Sequence, residues 1–368
     1  MVPITGRDPR KFVLYNDGQP VDIQLIGADD GTFDPGDLIV FYAVPHTGRF
    51  QNYNVYSLAI TDQLNTAIMG ARPVSTPGDL PPTSTITQTV HVERDLDYRS
   101  LYERPMNVDH WFDTQLYANS STPTVTRAYD LNLDDPVTTS GTVRLTVLIH
   151  GGNSLATNPD QSVAIRLNSH TVGQFTWDGS IDKSFTANVP AAWLDSAPNR
   201  IYLEAALAQL PGVTAYWISP DWLELKYPAV ADARKDLIVN QDRIYIEGVG
   251  SASPDLAATG FSSPNVAVYD VRDAVHPVQL TGVTSLPVGS VYTVAWTDAV
   301  SNRSYYLSTQ DALLAPSAVE ADALSNWGTP NHQADYIAIV GAQRSFNGTT
   351  TLGGEISAAA VSYTHLRA

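Results

Sequence analysis

A histidine followed by two glycines is the strongest candidate for catalytic chemistry in this sequence. His150-Gly151-Gly152-Asn153 follows a predicted strand at 143–149. Small residues after a strand can expose backbone N–H groups to a developing negative charge, as in the oxyanion loop of an esterase. Such esterases also carry their nucleophile in a G-x-S-x-G turn, and the sequence has no such motif. The pattern therefore favours a turn in which the glycine pair joins two strands.

Four aspartates crowd into nine residues near the start of the chain: Asp29, Asp30, Asp34 and Asp37. Clustered carboxylates and loop carbonyls can coordinate calcium, a hard cation that prefers oxygen ligands. The spacing differs from that of an EF-hand, which ends in a bidentate Glu. The pattern therefore favours a solvated acidic turn, and the alternative makes these four aspartates candidate calcium ligands. No other cofactor is required.

Two further patterns are weaker indications of a functional site. His91 and Glu93 alternate along a predicted strand and point to one face, as an acid/base pair or half of a metal site would. No third ligand follows at a recognisable spacing, so an exposed polar pair is the alternative. The sequence has no H-E-x-x-H, Walker A or dinucleotide-binding motif. Four tryptophans suit either a sugar-binding face or a core: Trp111, Trp177, Trp217 and Trp222.

Composition narrows the classes of partner and chemistry. The net charge of -17 comes from 38 acidic and 21 scattered basic residues, which disfavours nucleic acid and anionic membranes as partners. There is no cysteine, so this chain has no disulfide, thiolate metal site or thiol nucleophile. No apolar run approaches the roughly 20 residues of a membrane span.

The elements that must position these residues are short β-strands. Runs rich in Val, Ile, Thr and Tyr recur between clusters of Gly, Pro, Asp and Asn, a pattern typical of sandwiches and barrels. Residues 11–15 and 21–26 flank Asn16-Asp17-Gly18 and predict a hairpin. The apolar run 334–340 suits a buried strand that opens an α/β domain.

The predicted fold class is therefore all-β. It comprises tandem β-sandwich or jelly-roll and immunoglobulin-like modules, with a short C-terminal stub of an α/β domain. The predicted boundaries are an N-terminal β module at 1–75, a proline-rich linker at 76–86, a β-sandwich at 87–228, an immunoglobulin-like domain at 229–328, the start of an α/β domain at 329–360 and a separate tail at 361–368.

Several short motifs occur in a consistent order along the chain. They are Asp30-Gly31-Thr32-Phe33, Gly36-Asp37, Phe41-Tyr42, Asp109-His110-Trp111-Phe112, Trp177-Asp178-Gly179, Asp221-Trp222-Leu223-Glu224, Val268-Tyr269-Asp270-Val271, His276-Pro277 and Ala334-Asp335-Tyr336-Ile337. Their order resembles the region that precedes and enters the catalytic domain of gingipain-like cysteine peptidases. The resemblance spans most of residues 1–346.

This resemblance implies the non-catalytic accessory region of a secreted cysteine endopeptidase. In that family the catalytic His and Cys lie beyond the first strand of the peptidase domain, so no catalytic residue carries over to this chain. The implied partners are the catalytic domain in cis and the protein substrates of the full-length form. The implied location is extracellular or at the cell surface.

The two ends of the chain fit the resemblance least. Residues 361–368 match nothing before them and look like translated sequencing-adapter sequence, and we expect both ends to be artificial.

Two other classes of function stay open. One is a secreted binding or adhesive protein whose sandwiches recognise glycans or surface proteins by themselves, and the other is a self-contained hydrolase that uses His150.

Overall fold

The computed structural model describes residues 4–45, 53–79, 81, 83–102, 104, 110–195, 198–234, 242–249, 255–321, 345–346 and 350–351. The chain forms two compact units, Ile4–Ala315 and a second made of Met1–Pro3 with Pro316–Ala368. In the second unit, β25 (Ser345–Phe346) pairs antiparallel with β26 (Thr350–Thr351). The predicted strand at 334–340 and the tail at 361–368 lie outside the described residues.

The all-β prediction is confirmed. Within the described part of the chain, the only helices are four 3₁₀ turns: Pro9–Lys11, Ala191–Trp193, Leu207–Gln209 and Gln310–Ala312. None of the helices in those residues is long or apolar enough to cross a membrane.

The N-terminal strands surround a small core of their own. They are β1 (Phe12–Asn16), β2 (Gln19–Val21), β3 (Gln24–Ile26), β4 (Leu38–Val40) and β5 (Tyr56–Ile60). A hairpin forms at the predicted turn, with β1 and β2 pairing antiparallel around Asp17 and Gly18, but its second strand ends at Val21 and residues 24–26 form β3, which pairs with β4. Both turn residues have positive φ, at 47° and 76°, which the primed turns of tight hairpins require. Phe12 and Phe33 pack edge to face within this core, with their ring centres 5.4 Å apart.

The next segment leaves this module and joins another sheet. The strand β6 (Gly70–Pro73) pairs in parallel with β21 (Val278–Thr281). Beyond β6, the backbone of Ser75 exchanges hydrogen bonds with that of Thr297. The chain around the predicted linker is therefore bonded to the strands of the third block. The predicted domain boundaries stay predictions.

The middle block is a two-sheet sandwich. Its strands are β7 (Thr85–Glu93), β8 (Asp97–Tyr98), β9 (Trp111–Phe112), β10 (Leu116–Asn119), β11 (Thr124–Leu131), β12 (Thr142–Gly151), β13 (Gln161–Leu167), β14 (His170–Trp177), β15 (Asp182–Pro190), β16 (Asn199–Ala206) and β17 (Ala215–Val230). One sheet has the order β10-β17-β12-β15, with β7 also on β17, and the other has the order β11-β16-β13-β14. Apolar residues alternate along β12 and β16 and fill the space between the sheets.

The third block is a second sandwich. Its further strands are β18 (Arg243–Val249), β19 (Asp255–Phe261), β20 (Val266–Asp270), β22 (Thr284–Val288), β23 (Val291–Thr297) and β24 (Arg303–Thr309). The sheet orders are β18-β24-β20-β21-β6 and β19-β23-β22. Its buried side chains belong to the same continuous core as those of the middle sandwich, and this core includes Ala229, Ala231 and Ala233.

A buried ionic cluster attaches β6 to the third block. The guanidinium of Arg72 donates to both carboxylate oxygens of Asp298, at 2.5 and 2.8 Å, and to Asp270 at 3.1 Å. Asp298 has no exposed surface and also accepts a 2.8 Å hydrogen bond from the hydroxyl of Tyr305. A bidentate contact of this kind fixes direction as well as distance. Arg72 therefore fixes where the chain leaves the N-terminal module.

We predict that Arg72→Ala lowers the free energy of unfolding by about 3 kcal/mol, because Asp298 would keep a buried charge without its cation. Chemical unfolding followed by tryptophan fluorescence, to which the buried Trp296 contributes, measures the loss. The matched control is Arg10→Ala, since Arg10 pairs with Asp8 while its own side chain is 67% exposed. That variant should unfold almost as the wild type does. Equal shifts in the two variants would contradict the prediction.

The same cluster gives a pH dependence. Burial raises the pKa of Asp298, but hydrogen bonds from Arg72, the Val300 N–H and Tyr305 outweigh burial and hold that pKa below its ordinary value of 3.8. A lowered pKa stabilises the fold above the unfolded-state value, and the contribution is lost as pH falls through the folded-state value. In Arg72→Ala the carboxyl of Asp298 stays buried without its cation, so its folded-state pKa should rise, and the stability difference between wild type and variant should be largest at neutral pH and shrink as the solution is acidified.

Candidate functional site

His150 lies on the outer face of the larger sheet of the middle sandwich, near the end of β12. Its cross-strand neighbour is Asp182, the first residue of β15. The Nδ1 atom of His150 lies 2.7 Å from Asp182 Oδ1, and its Nε2 atom lies 3.2 Å from the hydroxyl of Ser180. A neutral imidazole that donates from Nδ1 accepts the serine proton at Nε2. This order of serine, histidine and carboxylate is that of a nucleophile activated by a general base.

Two aromatic rings cover the histidine. Tyr102 stacks on the imidazole with ring centres 4.0 Å apart, and Phe112 lies 5.9 Å away. The Tyr102 hydroxyl lies 3.0 Å from that of Ser219 on β17. His150 consequently has no exposed surface, whereas Ser180 is half-buried.

An arginine binds the carboxylate that pairs with His150. Arg104 donates from Nε to Asp182 at 2.9 Å and from a terminal nitrogen to Asp221 at 2.6 Å, and its side chain is 1% exposed. Its guanidinium also lies over the ring of Phe112, 4.8 Å from the centre. Burial raises the pKa of Asp182, but hydrogen bonds from His150 and Arg104 outweigh it and keep that pKa below 3.8. Asp182 is therefore a carboxylate at neutral pH.

The glycines after His150 do not form an oxyanion hole. The N–H of Gly151 donates to the carbonyl of Ile181 at 3.0 Å, and that of Gly152 donates to the carbonyl of Trp217 at 2.9 Å. Both donors are thus used within the fold. A Cβ on Gly152 would lie 1.7 Å from Nε1 of Trp217, so the close approach of the indole explains the glycine.

These contacts favour a positioning role over catalysis. We call His150, Asp182, Arg104, Asp221 and Tyr102 the outer-face cluster. The arrangement can polarise the Ser180 hydroxyl, but His150 is fully covered and the glycine N–H groups are engaged. What it does in the fold is attach Tyr102 and Arg104, which lie between β8 and β9, to the strands below them.

The β8–β9 hairpin held in this way has two different faces. Tyr98 pairs with Trp111 across the strands, and Asp97 pairs with Phe112. Phe112 points inward and is 1% exposed, while Tyr98 and Trp111 are 54% and 42% exposed. Their rings lie 5.2 Å apart. An aromatic pair therefore projects from the sandwich.

The structure places the four candidate calcium ligands without bringing them to a common centre. Asp29, Asp30 and Asp34 are exposed, and Asp37 is half-buried. The Asp37 carboxylate accepts the N–H of Asp34 at 2.7 Å, and Asp30 accepts that of Thr32 at 3.0 Å. Across the described residues, no group of three or more His, Asp or Glu side chains could hold a metal. Calcium binding by these aspartates stays a prediction.

The other sequence candidates, the His91–Glu93 pair and the four tryptophans, differ in how exposed they are. His91 and Glu93 lie on one face of β7 with His91 Nε2 and Glu93 Oε2 3.2 Å apart, and both are partly exposed. Among the four tryptophans, Trp177 is buried, Trp217 and Trp222 are half-buried, and Trp111 is exposed. Trp111 is thus the member of this set that best suits a binding face.

Sequence patterns did not indicate the partners of His150. Ser180 and Asp182 follow it by 30 and 32 residues, and Arg104 precedes it by 46. No short motif joins them, because the pairing of β12 with β15 brings them together. The alternation of side chains along 182–190 predicts a strand, but it does not show in which register that strand pairs with β12.

We predict that Gly152→Ala lowers the free energy of unfolding by about 2 kcal/mol, because the new methyl group would displace the Trp217 indole. Thermal unfolding with tryptophan fluorescence reports both the stability and the local change. Gly78→Ala is the control, since a Cβ there meets nothing within 4 Å. The packing argument fails if both variants unfold at the same temperature.

We also predict that Arg104→Ala loosens the hairpin and that trypsin then cleaves after Arg99 at least about tenfold faster, because local opening exposes the backbone to protease. Mass spectrometry of a timed digest measures the rate. Arg200→Ala is the control, because its ion pair with Asp130 is exposed on the opposite sheet. An unchanged rate after Arg99 in Arg104→Ala would show that the outer-face cluster does not hold the hairpin.

Comparison with known proteins gives a likeness of fold. No protein-family model matches the chain, and no curated protein matches it. Dimeric latent PorU from Porphyromonas gingivalis matches with a TM-score of 0.52 and 9% identity, over 83% of this chain and 30% of that chain. The chain thus spans less than a third of the length of that structure. At this identity the match shows the fold alone.

Two further structures match more loosely. The carbohydrate-binding module CBM36, solved with calcium and xylotriose, is 19% identical over 37% of this chain and 98% of that chain, with a TM-score of 0.24. The VP2 subviral particle of infectious bursal disease virus is 10% identical over 75% of this chain and 46% of that chain, with a TM-score of 0.23. Scores this low carry no argument about the present chain.

Proposed function

We propose that this chain is the non-catalytic accessory region of a secreted, gingipain-like cysteine peptidase. The observation that carries the proposal is an agreement between two independent features. The order of the sequence motifs resembles that family's accessory region, and the described sandwiches share their fold with the gingipain-related PorU over most of the chain.

The two sandwiches serve as a rigid support for the domain that follows. One continuous core joins them, and the Arg72 cluster attaches the strand that leaves the N-terminal module. Rigid β modules can position or shield a neighbouring domain at little entropic cost. The support lies outside the cell or at its surface, as the family resemblance implies.

Catalysis belongs to the downstream domain in this proposal. Its histidine accepts the proton of a cysteine thiol, the resulting thiolate is the nucleophile, and backbone N–H groups stabilise the oxyanion. The present chain contributes no catalytic residue in this proposal, since it has no cysteine and His150 is enclosed within the outer-face cluster. The four aspartates Asp29, Asp30, Asp34 and Asp37 remain candidate calcium ligands of the support.

A second candidate function has one observation in its favour. The exposed aromatic pair on the β8–β9 hairpin suits a binding or adhesive protein whose sandwiches recognise glycans or surface proteins. Such a protein would act without any catalytic domain.

Sequencing of the source DNA beyond the codon for Ala360 tests the peptidase proposal. We expect the frame to continue into an α/β domain that contains a His and a Cys. The protein expressed from that frame should cleave casein, and substitution of its nucleophilic Cys by Ala should abolish cleavage. Deletion of residues 4–315 should lower the activity or the yield of folded protein. A frame that ends at Ala368 in clean reads would contradict the proposal.

A further inference from the structure

We propose that the outward face of the β8–β9 hairpin is a binding site for an uncharged glycan, with a pyranose ring stacked on Trp111 and Tyr98. The inference goes beyond the accessory role and does not depend on it. It concerns residues of this chain alone.

The direction of the side chains follows from the hairpin register. Because successive residues of a strand point to opposite faces, the inward Phe112 places its neighbour Trp111 outward. Tyr98 lies directly across from Trp111. The N–H of Leu96 donates to the carbonyl of Phe112, and Leu96 lies two residues before Tyr98, on the same face, with 62% exposure.

The two rings form a tilted surface that fits a sugar. Their planes meet at 58°, and their centres are 5.2 Å apart. A pyranose presents an apolar face of C–H groups, which packs against aromatic rings while its hydroxyls stay in water. Two rings at an angle can contact one sugar unit and its neighbour.

One polar group lies at the edge of this surface. His110 lies beside Tyr98, with ring centres 6.1 Å apart, and its Nδ1 contacts the carbonyl of Arg99. Asp97 and Arg99 alternate with Tyr98 along the chain, so their ion pair belongs to the other face of the hairpin. An imidazole beside the rings offers a polar contact to a sugar hydroxyl, as ligand sites with a few well-placed polar groups do.

The hairpin is already fixed before any ligand arrives. Phe112 is buried against the outer-face cluster, and the connection from β8 to β9 is attached through Tyr102 and Arg104. A preorganised surface loses little conformational entropy on binding. This preorganisation distinguishes the hairpin from an exposed aromatic pair on a loop.

Charge favours a neutral glycan over an acidic one. The segment 94–99 contains two arginines and two aspartates and so has no net charge, while the chain as a whole has a charge of -17. An acidic polysaccharide would be repelled by that overall charge.

Size favours a small ligand over a protein. The outward face consists of three side chains, Tyr98 and Trp111 on strands of two residues each and Leu96 just before β8, whereas a stable protein interface needs about 800 Å² from each partner.

The test uses the full chain in affinity gel electrophoresis with three probes: a neutral β-glucan, a neutral mannan and acidic polygalacturonate. We expect the chain to bind at least one neutral probe and not the acidic one. Trp111→Ala and Tyr98→Ala should each weaken binding by about tenfold or more, and Trp111→Phe should retain much of it, because a ring remains.

Tyr117→Ala is the matched control, since Tyr117 is 46% exposed on the same sandwich but lies outside the hairpin. Circular dichroism verifies that each variant is folded. The inference is overturned if the folded wild type binds neither neutral probe, if Tyr117→Ala weakens binding as much as Trp111→Ala, or if the acidic probe binds best. Retained binding in both hairpin alanine variants would also overturn it.

Discussion

The long strand β17 is the element on which the rest of the described fold depends. It pairs with β12 along one edge and with β10 and β7 along the other, and its end leads into the core shared with the third block. Against β12, one extra residue on β17 shifts the register where Asp221 and Trp222 face Leu148. Side chains alternate in strict order along a strand, so this bulge exchanges the faces. Leu223 and Leu225 point into the core on one side of it, and Tyr216 and Ile218 on the other.

The bulge also creates the setting of the outer-face cluster. Ser219, opposite His150, turns outward and meets Tyr102, and Asp221 becomes available to Arg104. A chain without cysteine cannot fix a surface segment with a disulfide. Here an arginine between two aspartates does so twice, at the buried Arg104 and at the partly exposed Arg72. Such clusters add less net stability than apolar packing, but their hydrogen bonds fix direction.

This explains how a serine, a histidine and an aspartate meet without forming a catalytic centre. The hydrogen-bond order is correct, but the glycine N–H groups are engaged in the sheet and aromatic rings cover the imidazole. The same contacts hold the β8–β9 hairpin so that Tyr98 and Trp111 face outward. A support for a neighbouring domain and a glycan-binding surface are compatible uses of one rigid sandwich.

The sequence by itself determined the β class, the hairpin at Asp17-Gly18 and the absence of thiol chemistry, because alternation, turn residues and composition are local properties. It also identified His150-Gly151-Gly152 and Trp111 as residues to examine. Only the tertiary structure decided what they do. The residues that contact His150 lie 30 to 48 residues away in sequence, and the pairing of β12 with β15 brings Asp182 beside it. Exposure of Trp111 and burial of Trp177 follow from which face of each strand meets the core, and a single bulge can reverse that choice.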